Sequence, residues 1–163
     1  MKQIFVDIDK CTGCLTCTLA CAAEHSSSKD IVGAMLEKVQ PRISVEAVNG
    51  KAVPLMCRHC EEPTCVDACM TGAMQKDKET GIVSNENNDQ SCIGCWMCIM
   101  ACPYGAIQPN EEEGIAIKCD KCNGREVPAC VESCHTGALI YVDGKTFAQE
   151  KLTKTAKALT EAS

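Results

Sequence analysis

The chain contains few of the side chains that usually fill a hydrophobic core. Its 163 residues include one Trp, two Tyr and two Phe, so aromatic residues make up only 3% of the sequence. A domain of this size buries comparatively little apolar surface, and aromatic side chains normally supply much of it. Side-chain burial is therefore a weak explanation for a stable fold, and we expect another interaction to contribute.

Long apolar segments and export signals are also missing. The sequence has no run of about 18 apolar residues, the length that a membrane-spanning helix requires. It shows no basic segment followed by an apolar stretch and no twin-arginine pair. We therefore expect no direct membrane insertion and a location in the cytoplasm, where the reducing environment keeps cysteine thiols free.

Positive charge is in deficit. Lys and Arg number 16 against 22 Asp and Glu, which gives a formal net charge of −6. This balance disfavours nucleic acid as a partner, because the phosphate backbone attracts basic proteins. We expect protein partners that present basic surfaces, since opposite charge speeds association.

The motifs of common enzyme classes are absent as well. There is no G-x-S-x-G, no P-loop, no G-x-G-x-x-G and no H-E-x-x-H in the sequence. The acidic run Glu111-Glu112-Glu113 is typical of a solvated loop. The sequence therefore predicts no catalytic residues, while an oxidoreductase with its own substrate site remains an alternative that turnover by the isolated chain would reveal.

Cysteine, by contrast, is abundant, with 16 residues in the chain. They fall into four groups of four. The groups are Cys11, Cys14, Cys17 and Cys21; Cys57, Cys60, Cys65 and Cys69; Cys92, Cys95, Cys98 and Cys102; and Cys119, Cys122, Cys130 and Cys134. A cubane [4Fe–4S] cluster takes four thiolates, so sixteen cysteines match four clusters with none left over.

The four groups are of two alternating kinds, which indicates internal duplication. The first and third read C-x-x-C-x-x-C-x-x-x-C, with Gly13 or Gly94 before the second cysteine. The second and fourth are longer between their second and third cysteines and contain Pro63 or Pro128 two residues before the third. Alternation alone leaves open which groups share clusters; first with second and third with fourth is one possibility.

The spacing favours iron–sulfur over zinc. Three cysteines at i, i+3 and i+6 surround three corners of a cube, and the fourth, on the helix that follows, points away and serves a different cluster. Tetrahedral zinc is usually held by two separated cysteine pairs, which fits the second and fourth groups but not the first and third. A zinc-stabilised interaction module is therefore the weaker alternative.

Short elements are predicted between the cysteines, in an α+β fold. Each group is expected to form a ligand loop and then a short helix that carries its last cysteine. Residues 31–39 are predicted as a helix that ends before Pro41, and Asn49-Gly50 predicts a hairpin. The predicted strands are residues 4–7, 43–48, 51–56, 73–75, 81–84, 106–108, 115–118 and 138–142.

Several residues next to the cysteines admit two interpretations. Gly13 and Gly94 either turn backbone N–H groups toward cluster sulfurs or relieve crowding in a tight loop. His59 and His135 either donate a hydrogen bond to a sulfur or fill space beside a cluster, and we favour the second for both. Trp96 is interpreted as a shield against water rather than an electron relay.

Two segments carry a resemblance to a known family. They are Cys57-Arg58-His59-Cys60-Glu61-Glu62-Pro63-Thr64-Cys65 and Cys102-Pro103-Tyr104-Gly105-Ala106. With the four cysteine groups, they resemble the four-cluster ferredoxin-type subunits of molybdopterin oxidoreductases, formate dehydrogenases, hydrogenases and carbon monoxide dehydrogenase. The resemblance covers residues 1–145. Within it, residues 11–30 and Pro41-Arg42-Ile43 are most similar to the carbon monoxide dehydrogenase-associated iron–sulfur protein, followed by subunits of hydrogenase and formate dehydrogenase complexes.

The resemblance implies two nested bacterial-ferredoxin-like (βαββαβ) units. The outer unit would comprise residues 1–56 and 117–145 and would include a β-hairpin insert at residues 42–56. The inner unit would comprise residues 57–116. Residues 146–163 would follow as a C-terminal helical tail that either faces solvent or docks a partner.

The resemblance also implies which cysteines share a cluster, because each group lends its last cysteine to another. Set A is Cys11, Cys14, Cys17 and Cys134; set B is Cys21, Cys119, Cys122 and Cys130; set C is Cys57, Cys60, Cys65 and Cys102; and set D is Cys69, Cys92, Cys95 and Cys98. The implied function is transfer of single electrons between a catalytic redox subunit and a second electron carrier.

Overall fold

Four antiparallel strand pairs organise the computed structural model, which describes residues 2–86 and 89–161. The predicted units and tail also include residues 1, 87, 88, 162 and 163, which lie outside the described residues. The strands are β1 (Lys2–Val6), β2 (Ser44–Val48), β3 (Lys51–Leu55), β4 (Gln75–Lys76), β5 (Val83–Ser84), β6 (Ile107–Asn110), β7 (Ile115–Lys118) and β8 (Leu139–Asp143). All eight predicted strands are confirmed, with ends that differ by at most two residues.

The longest-range pair joins the two ends of the chain. Strand β1 runs antiparallel to β8, with Lys2 opposite Asp143 and Val6 opposite Leu139. The other pairs, β2–β3, β4–β5 and β6–β7, are each formed by strands that are neighbours in sequence. In the β2–β3 hairpin, Asn49 and Gly50 both have positive φ, at 51° and 75°, as a two-residue hairpin turn requires.

The helices are short except for the first and last. They are α1 (Thr16–His25), α2 (Ile31–Leu36), α3 (Thr64–Asp67), α4 (Met97–Ala101), α5 (Ala129–Glu132) and α6 (Gly144–Glu161), and a 3-10 turn covers Ile8–Lys10. Isolated helices of four to six residues are unstable in water, so α2 to α5 depend on their surroundings. The predicted helix at residues 31–39 ends early, at Leu36, because Lys38 adopts a left-handed conformation with φ 53°.

One prediction about the helices is wrong for three of the four groups. Only α1 carries the last cysteine of its group, Cys21; the corresponding Cys69, Cys102 and Cys134 lie just beyond α3, α4 and α5. These three helices stop early because the chain turns immediately afterwards, through Gly72, Gly105 and Gly137, each with positive φ. Their buried third cysteines, Cys65, Cys98 and Cys130, lie within the helices.

Cysteine side chains form a large part of the two buried clusters. One cluster consists of Cys17, Cys21, Ile43, Met56, Cys119, Cys130 and Leu139. The other consists of Cys65, Met74, Val83, Cys98, Ile107 and Ala116. Six of these thirteen residues are cysteines, and none of the thirteen is aromatic. The expectation of a thin apolar core is confirmed for the described residues.

The predicted tail helix is confirmed as α6. Asp143 caps its N-terminus, because the Asp143 carboxylate accepts hydrogen bonds from the backbone N–H groups of Lys145 and Thr146 at 3.0 and 3.1 Å. The Phe147 ring stacks on Phe5 of β1, with ring centroids 4.1 Å apart. Beyond this contact the helix is largely exposed, Leu152 included. Neither α6 nor any other described helix combines the length and hydrophobicity needed to cross a membrane.

Candidate metal centres

Cysteines that are distant in sequence meet around two small cavities. The first cavity is lined by the first three cysteines of the third group and by Cys69, the last of the second group. The second is lined by the first three cysteines of the first group and by Cys134, the last of the fourth group. Each cavity therefore presents four thiols from two different groups, and these are the four members of set D and of set A.

The four members of set B are also neighbours, and all are buried. Burial, together with the nearby charge of Cys21, raises the pKa of Cys119 to about 12 and that of Cys122 to about 11. Burial likewise raises the pKa of Cys130, with added contributions from Cys119, Cys21 and Cys122. Thiols whose pKa values are raised in a buried site require a cation to hold them as thiolates.

Set C is less deeply buried. Burial raises the pKa of Cys65 to about 11; the positive charge of Lys118 opposes this shift, and the charges of Cys57 and Cys102 add to it. Cys60 follows Cys57 by three residues in the same ligand loop. The structure therefore brings members of the second and third groups together here as well.

Backbone N–H groups already point at several of the sulfurs. The N–H···Sγ contacts run from Arg42 to Cys21 at 3.3 Å, His59 to Cys57 at 3.4 Å, Met74 to Cys69 at 3.3 Å and Lys121 to Cys119 at 3.4 Å. Such contacts stabilise the thiolate form and are a means of adjusting the potential of an iron–sulfur centre. One of the two interpretations of Gly13 and Gly94 placed such contacts in their loops, whereas these four come from non-glycine residues.

Equivalent positions of the duplicated loops adopt the same backbone conformation. Leu15 and Trp96, each after the second cysteine of its group, both have φ 60°, and His59 and Lys121, each before the second cysteine, have φ 47° and 59°. Left-handed backbone at non-glycine residues is strained and persists only where the surroundings demand it. The ligand geometry is therefore repeated even where the side chain is not.

At Gly94 the structure supports the crowding interpretation. A Cβ atom added there would lie 2.5 Å from the carbonyl oxygen of Gly114, closer than real Cβ atoms approach. A Cβ atom added at Gly13 would lie 3.2 Å from Cβ of Ala52, which is tight but less severe. Trp96 lines the same cavity as set D, as a shield against water would.

His25, Asp120 and Arg42 form an ion-pair network beside set B that sequence reasoning missed. His25 donates from Nδ1 to the carbonyl oxygen of Cys21 at 2.7 Å and from Nε2 to Asp120 at 3.1 Å, so it is an imidazolium. Arg42 binds Asp120 at 3.2 Å and Glu86 at 2.6 Å. Although burial alone would raise it, the hydrogen bond from His25 and the charge of Arg42 hold the pKa of Asp120 well below its usual range.

The two histidines singled out from the sequence lie in different environments. His135 is exposed, whereas His59 is only 4% exposed. Its Nδ1 accepts a hydrogen bond from the backbone N–H of Val83 at 3.0 Å. Burial, followed by the charges of Lys118 and Lys121, lowers the pKa of His59 to about 3. The His59 ring is therefore neutral.

The donor set fits [4Fe–4S] clusters. All sixteen cysteines are free of disulfide bonds, and the two cavities each present four thiols. Cubane clusters require four thiolates at each site, as these cavities offer. A single zinc ion also takes four thiolates, but its ligands usually come as two separated cysteine pairs, whereas three of the four here come from one seven-residue loop.

The comparisons with known proteins agree with this chemistry. Residues 48–144 match the family described as "4Fe-4S dicluster domain", and residues 8–24 match "4Fe-4S binding domain". An "Iron-sulfur protein" of Rhodospirillum rubrum is 40% identical over 86% of this chain and 81% of the relative. The "Electron transport protein HydN" of Escherichia coli is 37% identical over 95% of this chain and 97% of the relative.

A third relative is named as part of a reductase. This tetrathionate reductase component from Archaeoglobus fulgidus is 45% identical over 83% of this chain and 63% of the relative. The matched dicluster family accounts for more than half of the chain. The chain thus belongs to the 4Fe-4S dicluster domain family of ferredoxin-type proteins, and its cofactor is the [4Fe–4S] cluster.

Proposed function

We propose that this chain is an electron-transfer subunit that holds four [4Fe–4S] clusters through sets A, B, C and D. The observation that carries the proposal is the pair of cavities in which Cys69 and Cys134 join the first three cysteines of another group. Bound clusters supply reversible one-electron exchange at each set. The proposed role of the chain is to hold these clusters and pass electrons between partners, not to bind a substrate.

The nested arrangement of two units is part of the proposal. The pairing of β1 with β8 supports an outer unit, since it joins residues 2–6 to residues 139–143. The packing of α1 on α5 supports the same unit, and the packing of α3 on α4 supports an inner unit at residues 57–116. Sets A and B then belong to the outer unit, and sets C and D to the inner unit.

The exposure of the cysteines supports an order for the four sets. Cys14 of set A and Cys95 of set D are exposed, whereas every cysteine of set B is buried. Sets B and C adjoin, because the charge of Cys57 contributes to the raised pKa of Cys119. We therefore propose the order A, B, C, D, with one redox partner docking near Cys14 and the other near Cys95.

The donor is proposed to be a catalytic redox subunit of the carbon monoxide dehydrogenase type. Support comes from the resemblance of residues 11–30 and of Pro41-Arg42-Ile43. The alternative is an iron–sulfur subunit of a formate dehydrogenase, hydrogenase or molybdopterin oxidoreductase complex, which HydN and the tetrathionate reductase component favour. The free thiols support a cytoplasmic location for either assignment.

Anaerobic mixing experiments test this assignment. The reconstituted chain is combined with carbon monoxide dehydrogenase and carbon monoxide, and in parallel with formate dehydrogenase and formate. We expect bleaching of its visible absorbance at catalytic rates in the first mixture and slow bleaching in the second. Faster bleaching in the second would favour the alternative donor, and no bleaching in either, with dithionite-reducible clusters present, would contradict an electron-transfer role with these enzymes.

A further inference from the structure

His59 occupies a buried position with one side of its ring unsatisfied. The backbone N–H of Val83 donates to Nδ1, so Nδ1 carries no proton and the proton of the neutral ring resides on Nε2. Within residues 2–86 and 89–161, Nε2 is buried and has no hydrogen-bond partner. A buried N–H without an acceptor is costly, and folded proteins almost always supply one. The acceptor for Nε2–H is therefore missing from the protein atoms.

The position of His59 indicates where that acceptor lies. The residue stands between Cys57 and Cys60 in the ligand loop of set C, and its own backbone N–H points at the Cys57 sulfur, 3.4 Å away. Its φ of 47° is a strained left-handed conformation, and Lys121 adopts the same conformation at the equivalent position in the loop of the fourth group. Because no cysteine sulfur of the described residues accepts from Nε2, an inorganic sulfide of a cluster bound by this loop is the available acceptor.

We propose that Nε2–H of His59 donates a hydrogen bond to a sulfur of the cluster held by set C and raises the reduction potential of that cluster. The inference rests on the proposed ligand set. A hydrogen bond to sulfur stabilises the reduced cluster more than the oxidised one, because the reduced cluster carries more negative charge. Filling space beside the cluster would leave the potential unaffected.

The equivalent residue in the fourth cysteine group provides a comparison that supports this role of His59. Lys121 occupies the equivalent position between Cys119 and Cys122, with φ 59° and the same N–H···Sγ contact, to Cys119 at 3.4 Å. Its side chain extends to the carbonyl oxygen of Lys2, 3.4 Å from Nζ. The two loops are thus alike in backbone, but only the His59 loop places a buried ring N–H beside its cluster.

Potentiometric titration of three variants of the reconstituted holoprotein, monitored by electron paramagnetic resonance, tests the proposal. We expect His59→Leu to reduce the equilibrium constant for one-electron reduction of one cluster about tenfold, which lowers one midpoint by about 59 mV. His59→Gln, which retains an N–H donor near the Nε2 position, is expected to recover at least half of that shift. His135→Leu is the matched control, since His135 also adjoins a ligand but is exposed, and all midpoints should be unchanged.

Iron analysis separates failure of the proposal from failure of the ligand assignment. A His59→Leu protein with full iron and unchanged midpoints would overturn the hydrogen bond alone, as would equal shifts in His59→Leu and His59→Gln. A wild-type protein without a cluster at set C would overturn both.

A measurement on the wild-type protein covers the case in which His59→Leu does not fold. Histidine labelled with ¹⁵N only at Nε2 should give a weak hyperfine coupling in pulsed electron paramagnetic resonance of the reduced protein. His25 also lies close to a proposed ligand, Cys122, so a His25→Gln variant serves as a control in which the coupling from His59 should persist. The coupling should persist in His135→Leu, and its absence from the wild-type protein would overturn the proposal.

Discussion

The central segment, residues 57–116, and the segments that flank it carry the same ligand pattern in different settings. In the flanking segments, α1 is ten residues long and β1 and β8 pair over five residues. In the central segment, α4 has five residues and β4 and β5 pair over only two. Backbone conformations at Leu15 and Trp96 are nevertheless the same. The requirements of ligation therefore determine the loops, while the supporting structure varies.

The largest expected effect is that of iron removal. We expect chelation of iron under anaerobic conditions to unfold both regions, because cysteines supply six of the thirteen residues in the two buried clusters. Far-ultraviolet circular dichroism and amide hydrogen exchange measure the loss. If α1 and the β1–β8 pair remained protected in the apoprotein, the flanking segments would fold on their own side chains, and only the central segment would depend on metal.

Replacing the last cysteine of a group is expected to remove the cluster held mainly by another group. Cys134→Ser should abolish the cluster of set A, whose other ligands come from the first group, and Cys102→Ser should abolish that of set C. Each variant should lose about four iron atoms per chain, with the remaining clusters intact. Mössbauer spectroscopy and iron analysis follow the losses. A Cys134→Ser protein that retained set A and lost only the cluster of its own group would contradict the nested ligation.

The two ligand-loop glycines provide a smaller, matched test. We expect Gly94→Ala to destabilise the holoprotein by about 3 kcal/mol, because the new Cβ atom meets the Gly114 carbonyl oxygen and φ is 64°. Gly13→Ala should cost about 1–2 kcal/mol, since its φ is 70° but its nearest neighbour, at 3.2 Å, is a side-chain atom. Thermal loss of visible absorbance measures both. Equal effects would show that the backbone conformation alone, without the Gly114 contact, explains why glycine is required at both positions.

The ion pairs differ in what they connect. Arg42 joins Glu86 of the central segment to Asp120 of a flanking segment, so we expect Arg42→Ala to cost about 2 kcal/mol and to loosen the two segments. The control is Lys51→Ala, which removes an exposed pair with Asp9 within one flanking segment and should have no measurable effect. Chemical denaturation compares them, and equal stabilities would show that Arg42 contributes nothing at this boundary.

Much of the fold could be predicted because its signals are local. The Asn49-Gly50 turn and the spacing of the cysteine groups each act within a few residues. The helix ends at Asp67, Ala101 and Glu132 were missed, since the last cysteine of each group was expected inside the helix. These helix ends depend on glycine turns and on contacts to cysteine sulfurs, which the periodicity of apolar residues does not reveal.

The environment of the cysteine sets was harder to predict. Lys118 is 3% exposed and donates to the carbonyl oxygens of Val83 and Cys119, whereas composition alone places a lysine at the surface. The network of His25, Asp120 and Arg42 joins positions far apart in sequence and has no motif. Such side chains are selected by tertiary contacts, which a local pattern does not reveal.

Iron, acid-labile sulfide and zinc contents of the anaerobically purified chain test the central claim most directly. Four [4Fe–4S] clusters held by sixteen cysteines predict about sixteen iron and sixteen sulfide per chain, with no zinc. About four zinc per chain without sulfide would contradict the account and indicate a zinc-stabilised module instead.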